Sequence, residues 1–434
     1  MDLIEQRIIN TIEDNRNVII DFANDIYCHG ELTFHEFQTS EKVASLFKKL
    51  GFEIQEKLAI TGVKATIGNS GPSVSIIAEL DGIKCPTHPL SNKENGISHS
   101  CGHHAQLATL IGAAIALNNE TILNELDGSV TFFAVPAEEY VDVSIKDELR
   151  EQGKIKFGSG KSELIRLGEF DDIDVALTTH VHMVDCDKDI LVGNNASNGF
   201  ISKKIKVIGK ASHAAISPHE GINALNAAVH GLNAIGLIRE TFKEEDYVRV
   251  HSVIQHGGGA VNVIPEEVMI ETIVRAKSLS AIEDASNKVD RAFQYSANAL
   301  GAEAIVYNYQ GYLPVIETPA ADVVLGAVKL LEEEITFESI HLGYQNVAST
   351  DVGDLTHVKP VINFTHGGFK GNLHSENFEI IDENLAYIIP AKIMALTVYH
   401  LLRNGAAEAR KVMKEYKSIF TKEEYIDYIN KVIN

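Results

Sequence analysis

Strand-like apolar runs in this 434-residue chain repeatedly end at side chains that can bind a metal ion. The runs and the side chains that follow them are 73–80 with Asp81, 129–135 with Glu138 and Glu139, 173–179 with His180, and 361–365 with His374. In an open α/β sheet the functional crevice lies outside the carboxyl ends of the strands. We therefore expect one edge of a sheet to gather these side chains, although they are far apart in the chain.

Segments with helical spacing of apolar residues alternate with these strand-like runs. Helices are predicted at 2–27, 38–50, 104–118, 160–168, 318–334 and 384–403, with further strands at 52–57 and 63–68. This alternation is typical of a layered α/β domain. The fold class predicted for the two ends of the chain is therefore α/β.

The middle of the chain follows a different order of elements. Strands are predicted at 201–209, 247–255, 268–276 and 304–309, and helices at 221–240 and 280–299. The order strand-helix-strand-strand-helix-strand is that of a ferredoxin-like unit. We therefore predict an inserted α+β domain at 198–312. The first domain would comprise 1–197 and 313–434, with a helical tail at 405–434, because His374 must return to the first site.

The composition indicates a globular protein and argues against two classes of partner. The chain is too long for one ordinary core, and its 45% apolar residues can fill two. Sixty acidic against 38 basic residues give a net charge of −22, which disfavours binding to nucleic acid or to an anionic membrane. No run reaches the length of a membrane span, and the first residues lack signal-peptide character. Four scattered cysteines fit a reducing compartment, so a cytoplasmic location is predicted.

A thiol and two imidazoles, from Cys101, His103 and His104, lie just before or at the start of the apolar helical run 105–117. Thiolate and imidazole suit zinc and related divalent metals, and residues two apart can converge when they lie in a turn. A buried turn with a packed thiol and a solvated imidazole explains the cluster alone equally well. The ligand-type side chains at the strand ends favour the metal site.

Glu138 and Glu139 are adjacent, so their carboxylates cannot both approach one metal ion with the same geometry. One can bind while the other takes up and delivers a proton. A solvated acidic pair is the alternative, because the chain has 60 acidic residues. A similar ambiguity holds for segment 28–36, whose two histidines and two acids are either ligands or, as we favour, part of a polar connection between helices.

Together these motifs resemble the M20 metallopeptidase family, and more narrowly its amidohydrolase branch. The motifs are the Cys101-Gly102-His103 turn, Pro136-Ala137-Glu138-Glu139, His180 after Ala176-Leu177-Thr178-Thr179, the stretch Gly209 to Ala215, and His374. Their order and spacing match the family over most of the chain. The long segment 140–161 and the motif 349–354 resemble the aminobenzoyl-glutamate hydrolase B-type chains.

The resemblance implies a zinc-peptidase-like α/β catalytic domain and an inserted ferredoxin-like lid and dimerisation domain that forms a homodimer. It also implies two divalent metal ions per subunit, zinc or manganese, with Cys101 as the bridge. The ligands would be Cys101, His103, Glu139, His180 and His374. Glu138 would be the general base and acid, and Asp81 would support the metal site without touching the metal.

Three positions in the inserted domain also match the family pattern. His213 would reach the active site of the neighbouring subunit and stabilise the oxyanion, which makes the dimer part of the mechanism. Asn262 and Arg275 would contact substrate, and the Arg275 guanidinium suits a carboxylate.

Two histidines depart from the pattern or compete with it. His104 stands where the branch usually has Asp or Asn, and could be an extra ligand, a partner of a ligand or a surface residue. His182 lies two residues after His180, on the same side of a strand. We favour His180 because it directly follows the apolar run.

The activity implied by the resemblance is hydrolysis of an N-acyl, aminobenzoyl or aminoacyl amide bond in a small amino-acid-containing substrate. A dipeptidase or an aminoacylase with the same metal site is the second interpretation, and lid residues would decide between them. A metal-containing binding protein without catalysis is the third, although Glu138 and His213 argue against it. A single structural zinc fits poorly with the carboxylate pair.

Overall fold

The computed structural model describes residues 1–140, 143–182, 186–193, 196–340 and 343–433. The chain forms two compact units. The first comprises Met1–Asn195, Ile316–Tyr344 and Asp354–Lys422, and the second comprises Ala196–Val315, Gln345–Gly353 and Glu423–Asn434.

The α-helices and strands follow one another closely along the chain. The helices are α1 Leu3–Asp14, α2 Arg16–Tyr27, α3 Phe37–Lys49, α4 His103–Leu117, α5 Glu120–Leu123, α6 Val143–Glu151, α7 Gly160–Leu167, α8 Ala224–Ile238, α9 Leu279–Ala299, α10 Ala321–Lys329, α11 Val352–Thr356, α12 Ile389–Glu415 and α13 Lys422–Val432. The strands are β1 Ile54–Leu58, β2 Gly62–Gly68, β3 Ser73–Glu79, β4 Ile83–Lys84, β5 Ile97–Ser98, β6 Ser129–Val135, β7 Val175–Val181, β8 Ile190–Gly193, β9 Gly199–Ile208, β10 Arg249–His256, β11 Glu267–Ala276, β12 Glu303–Gln310, β13 Phe337–Ile340, β14 Val361–His366, β15 Phe369–Lys370 and β16 Glu379–Ile380.

Eight strands of the first unit form one sheet in the order β1-β2-β6-β3-β7-β14-β8-β13. The four central strands β6, β3, β7 and β14 run parallel to one another, so their carboxyl ends lie at one edge. Every residue of β3 is buried, as expected for a parallel strand covered on both faces. The predicted α/β fold is confirmed, and its central strands end where the candidate site residues begin.

The second unit contains a four-stranded antiparallel sheet in the order β10-β11-β9-β12. Side chains of β11 alternate between buried and half-buried along its whole length, because one face packs against the helices α8 and α9. This is the ferredoxin-like arrangement predicted from the order of elements. Strand β10 lies at the edge of the sheet.

Local irregularities changed two of the predicted helices. The helix predicted at 2–27 is broken at Asn15, whose backbone leaves the helical region, and becomes α1 and α2. The helix predicted at 318–334 shortens to α10. Short strands such as β8 and β13, and helix α6, escaped prediction because elements of this length carry too little periodicity.

Among the described residues, one segment, Asn384–Glu415, is long and apolar enough by length and composition to cross a membrane, although its backbone leaves the helical region at 403–406. The expectation that no run reaches that length is therefore wrong. In the fold, 94% of the apolar 18-residue stretch within this segment is buried inside the protein. Part of this segment packs against α4, another apolar helix that is almost entirely buried.

Gly112 lies where α4 approaches α12. A methyl group added at Gly112 would come within 2.6 Å of the Ala391 Cβ and 3.2 Å of the Ile19 Cδ1. Glycine usually weakens a helix relative to alanine. Its presence here is therefore explained by the close approach of the two helices.

Replacing Gly112 by Ala is expected to lower the free energy of unfolding by about 1–3 kcal/mol, because the overpacked methyl outweighs the gain in helix propensity. The matched control is Gly236→Ala in α8, where an added methyl meets nothing within 4 Å. That change should leave stability unchanged or raise it slightly. Urea unfolding measures both, and a Gly112→Ala midpoint at or above that of Gly236→Ala would contradict this packing argument.

Candidate metal centre

The turn that carries Cys101 connects strand β5 to helix α4. Gly102 forms this turn at a φ of +91°, and a methyl group there would lie 2.7 Å from the Val181 side chain. Glycine is therefore required for both the backbone conformation and the space. The turn buries Cys101 and His103 at the same edge of the sheet as the end of β7.

Cys101 is shared by two groups of side chains with the spacing of metal ligands. Its Sγ lies 3.7 Å from the Nε2 of His180 and 3.1 Å from the Nε2 of His374. One group consists of Cys101, His103 and His180, and the other of Cys101, Glu139 and His374. In each group all the ligand atoms lie within 4.8 Å of one another. The five ligands that the family resemblance implied thus come together in the first unit.

The donor atoms fit a pair of divalent cations. Among the described residues, the buried Nε2 of His103 and Oε1 of Glu139 make no hydrogen bond of good geometry, although each has an ionisable group within 3.4 Å. Such buried polar atoms are costly unless a ligand satisfies them. Sulfur, imidazole nitrogen and carboxylate oxygen are the donors that zinc and similar metals take in proteins. The side chain of His374 is 46% exposed, so the site is accessible on that side.

Hydrogen bonds fix the rings of His103 and His180 with Nε2 directed into the site. The Nδ1 of His103 donates to the backbone oxygen of Asp81 at 2.8 Å, and the Nδ1 of His180 donates to the backbone oxygen of Val181 at 2.8 Å. Metal-binding histidines are commonly oriented in this way by a bond from their other nitrogen. Both rings are therefore prepared to bind through Nε2.

The charges around Cys101 and His103 are those of a cluster that a bound cation would stabilise. Burial and the nearby Glu139 carboxylate raise the pKa of the Cys101 thiol well above its usual value. Burial alone would lower the pKa of His103, but the neighbouring Cys101 and Glu79 raise it well above its usual value. Thiolate and carboxylates in a buried cluster require compensating positive charge.

Glu138 and Glu139 differ in their surroundings. The backbone N–H of Glu139 donates to the Oδ2 of Asp81 at 2.8 Å, and the Thr33 hydroxyl contacts that Oδ2 at 2.9 Å and the Glu139 backbone oxygen at 3.1 Å. Glu138 is 8% exposed, and its Oε2 lies 3.9 Å from the Nε2 of His103. It belongs to neither of the two groups that contain Cys101, but it forms a third group of possible ligands with Glu79 and His103. Asp81 thus holds the backbone of Glu139, whereas the carboxylate of Glu138 lies beside the proposed ligand His103.

A buried ion pair beside His103 was missed by the sequence prediction. The Lys161 ammonium donates to Glu79 Oε1 at 2.6 Å, and Gln106 donates to Glu79 Oε2 at 2.8 Å. Burial opposes ionisation, but Lys161 and His103 lower the pKa of Glu79 below its usual value. Glu79 Oε2 lies 3.2 Å from the Nε2 of His103. The available signal was a charged residue in an otherwise apolar strand.

The two ambiguous histidines take different positions. His104 is fully buried and stacks on Tyr27 at 4.3 Å between ring centroids, so the surface interpretation is wrong. The Nδ1 of His182 lies 3.3 Å from the Thr365 hydroxyl. In the described part of the chain, neither ring belongs to a metal-binding group, whereas His180 does.

The second unit contains the other three predicted site residues. His213 is exposed, and its Nδ1 accepts the backbone N–H groups of Ala215 and Ile216, each at 3.2 Å. The neutral ring therefore has its proton on Nε2, which is available as a donor. The exposed Asn262 lies in the adjacent loop, where its backbone oxygen accepts the N–H of Ala214 at 3.0 Å.

Arg275 lies elsewhere in the second unit, on β11. Its Nη1 donates to the Ser349 hydroxyl at 2.6 Å. Its guanidinium lies 4.9 Å from the centre of the Phe200 ring. These contacts hold a partly buried guanidinium in one orientation.

Comparisons with known proteins agree with this architecture. Residues 195–299 match the M20 peptidase dimerisation domain. The chain is 28% identical over 311 residues to a subunit of the p-aminobenzoyl-glutamate hydrolase of Escherichia coli, a match that covers 68% of this chain and 59% of the relative. It is 25% identical to the Xaa-Arg dipeptidase of Mus musculus, over 92% of this chain and 86% of that one.

Solved structures show the same fold. A dinuclear metal-binding peptidase of the M20 family from Bacillus subtilis aligns with a TM-score of 0.67 at 21% identity, covering 90% of this chain and 99% of that one. The aminobenzoyl-glutamate utilization protein of Klebsiella pneumoniae aligns with a TM-score of 0.68 at 16% identity, covering 91% and 98%. The resemblance inferred from the motifs is confirmed: the chain is similar to M20 peptidases and amidohydrolases, and residues 195–299 match the M20 dimerisation domain.

Proposed function

We propose that the chain is a cytoplasmic metal-dependent amidohydrolase acting on a small amino-acid-containing substrate. The observation that carries the proposal is the pair of ligand groups that share Cys101, with the carboxylate of Glu138 beside them. The bond cleaved would be an N-acyl, aminobenzoyl or aminoacyl amide. Relatives named as an aminobenzoyl-glutamate hydrolase and an N-acyl-amino-acid amidohydrolase support this class.

Two divalent metal ions, zinc or manganese, would be held by the five ligands. Cys101 would be common to both ions, His103 and His180 would complete one set, and Glu139 and His374 the other. When bound, the metals would polarise the amide carbonyl and make a water more acidic. Asp81 would keep His103 and Glu139 in place through the contacts already described.

Glu138 would move the proton during the reaction. Its carboxylate would take the proton of the attacking water and later deliver it to the leaving amine, so that no covalent intermediate is needed. The carboxylate lies close to the ligands, and low exposure limits competition from bulk water. Neighbouring Glu139 differs because Asp81 and Thr33 hold its backbone for metal binding.

The second unit would supply substrate contacts and the dimer interface. His213 of one protomer would donate from Nε2 to the carbonyl oxygen of substrate in the other protomer, where negative charge develops. Asn262 and Arg275 would bind the rest of the substrate. Exposed apolar side chains on β10 and α8, including Val253, Ile254 and Leu237, are suited to contact between protomers.

A dipeptidase is the second candidate function. The relative named Xaa-Arg dipeptidase matches 92% of this chain, more than the aminobenzoyl-glutamate relative does. The five metal ligands would suit either substrate equally well, so residues of the second unit would determine which substrate is cleaved. Comparing kcat/KM for aminobenzoyl-glutamate, N-acyl amino acids and dipeptides ending in arginine distinguishes these activities. A chain that binds these compounds but hydrolyses none would instead be a binding protein without catalysis.

Replacing Glu138 by Gln is expected to reduce kcat by at least about a hundredfold, because the neutral amide cannot accept the proton. The protein should still bind about two divalent metal ions per chain, since Glu138 is not a proposed ligand. Kinetics and elemental analysis of the same preparation measure both quantities. Glu125→Gln, at an exposed position, is the control. Loss of metal together with activity would make Glu138 a ligand and refute its assignment as the base.

Action of His213 across the dimer predicts complementation between two inactive variants. His213→Ala and Glu138→Gln each impair every site when alone. In a mixed dimer, one site combines an intact Glu138 with an intact His213 from the other protomer. Random exchange should therefore restore about a quarter of wild-type activity in a two-fold dimer.

The complementation is measured after the two variants are unfolded together and refolded, or after they are coexpressed. Each variant treated alone is the control. Activity no higher than the average of the two separate variants would show that His213 acts within its own protomer or not at all.

A further inference from the structure

The residue before the glutamate pair has a strained backbone. Ala137 has a φ of +57°, in the left-handed region that a residue with a Cβ atom rarely adopts. Such a conformation persists only where its surroundings hold it, and it is concentrated at functional sites. The direction in which Glu138 and Glu139 leave strand β6 depends on this turn.

Both backbone groups of Ala137 are held by the fold. Its N–H donates to the Glu36 Oε1 at 2.9 Å, and its carbonyl oxygen accepts the N–H of Gly160 at 2.9 Å. A methyl group at Gly160 would lie 1.7 Å from the Pro136 oxygen. The start of α7 therefore packs against one side of the turn, and the Glu36 carboxyl group contacts the other side.

Glu36 also accepts a hydrogen bond from a second residue whose backbone lies in the left-handed region. Its Oε1 also accepts the N–H of Phe34 at 2.8 Å, and Phe34 has a φ of +59°. The Thr61 hydroxyl contacts the Glu36 Oε2 at 2.6 Å. The side chains of Phe34 and Ala137 are buried in one apolar cluster. One fully buried carboxyl group thus accepts the N–H groups of two residues with left-handed backbone conformations.

We propose that Glu36 is a positioning residue that sets Glu138 and Glu139 by accepting the Ala137 N–H. It acts as a hydrogen-bond acceptor, and neither as a metal ligand nor as a base. Among the described residues it belongs to none of the metal-binding groups, and protein donors contact both of its oxygens. The proposal gives Glu36, alone among the acids of segment 28–36, a specific part in the site, and it rests on the proposed function of the glutamate pair.

Two substitutions separate the acceptor from the charge. Gln has a carbonyl oxygen that can accept from both backbone N–H groups, while its amide nitrogen can donate to the Thr61 hydroxyl. Burial and the charge of Asp81 raise the pKa of Glu36 to about 8, so a neutral amide is a fair substitute near neutral pH. Met fills a similar volume but accepts no backbone hydrogen bond of comparable strength.

The expected result is that Glu36→Gln keeps most of the wild-type kcat and metal affinity. Glu36→Met should lower kcat about a hundredfold with a small change in KM, because Glu138 is misplaced. It should also weaken metal binding about tenfold or more, because Glu139 moves with the same turn. Steady-state kinetics and titration against a competing chelator measure these effects.

Glu31→Met is the matched control. The Glu31 carboxylate accepts the backbone N–H groups of Gln38 and Thr39 at the start of α3, so its loss removes similar bonds outside the site. This variant should keep kcat and metal affinity at temperatures where it is folded. If Glu36→Met does not fold, Thr61→Val loosens Glu36 with little change in volume and should change both quantities in the same direction.

Three results would overturn the proposal. Glu36→Gln as impaired as Glu36→Met would show that the charge is needed, and wild-type behaviour of Glu36→Met would show that the bond positions nothing. Equal losses of kcat and metal affinity in Glu31→Met would show that Glu36→Met acts only through a general loss of stability. If the wild-type protein hydrolyses no amide, the proposed function fails, but the chelator titration still tests the placement of Glu139 by Glu36.

Discussion

The Asp81 carboxylate is the interaction on which the rest of the candidate site depends. It is fully buried, accepts the Glu139 N–H and the Thr33 hydroxyl, and lies beside the ring of His103. Burial opposes its charge, yet the ring of His103, 3.3 Å away, and the hydrogen bonds from Glu139 and Thr33 lower its pKa below the usual value. One anion therefore joins the ends of β3 and β6 to the start of α4, and it positions two of the proposed metal ligands, His103 and Glu139.

Much of the fold and the composition of the site could be predicted from the sequence, because both depend on local patterns. Apolar runs predicted the parallel strands, and the rule that crevices lie at their carboxyl ends predicted that Asp81, Glu139, His180 and His374 would be close together. The order of elements predicted the ferredoxin-like sheet. The assignment of roles to those residues came from the family resemblance and remains a proposal.

The remaining features depend on contacts between distant residues, which no local pattern encodes. The Glu79 and Lys161 pair joins residues far apart in the chain, and only burial makes it notable. Glu36 resembles any acid in a polar connection until its contact with Ala137 is seen. His104 follows a predicted ligand and could not be distinguished from one, because its stacking on Tyr27 depends on how α2 packs against α4.

The central claim is that Cys101 serves two metal ions at once. Anomalous diffraction from crystals of the zinc- or manganese-loaded protein tests it most directly. The account predicts two metal peaks per chain, both in contact with the Cys101 Sγ, one bound by His103 and His180 and the other by Glu139 and His374. A single peak, or a second peak held without Cys101, would contradict it.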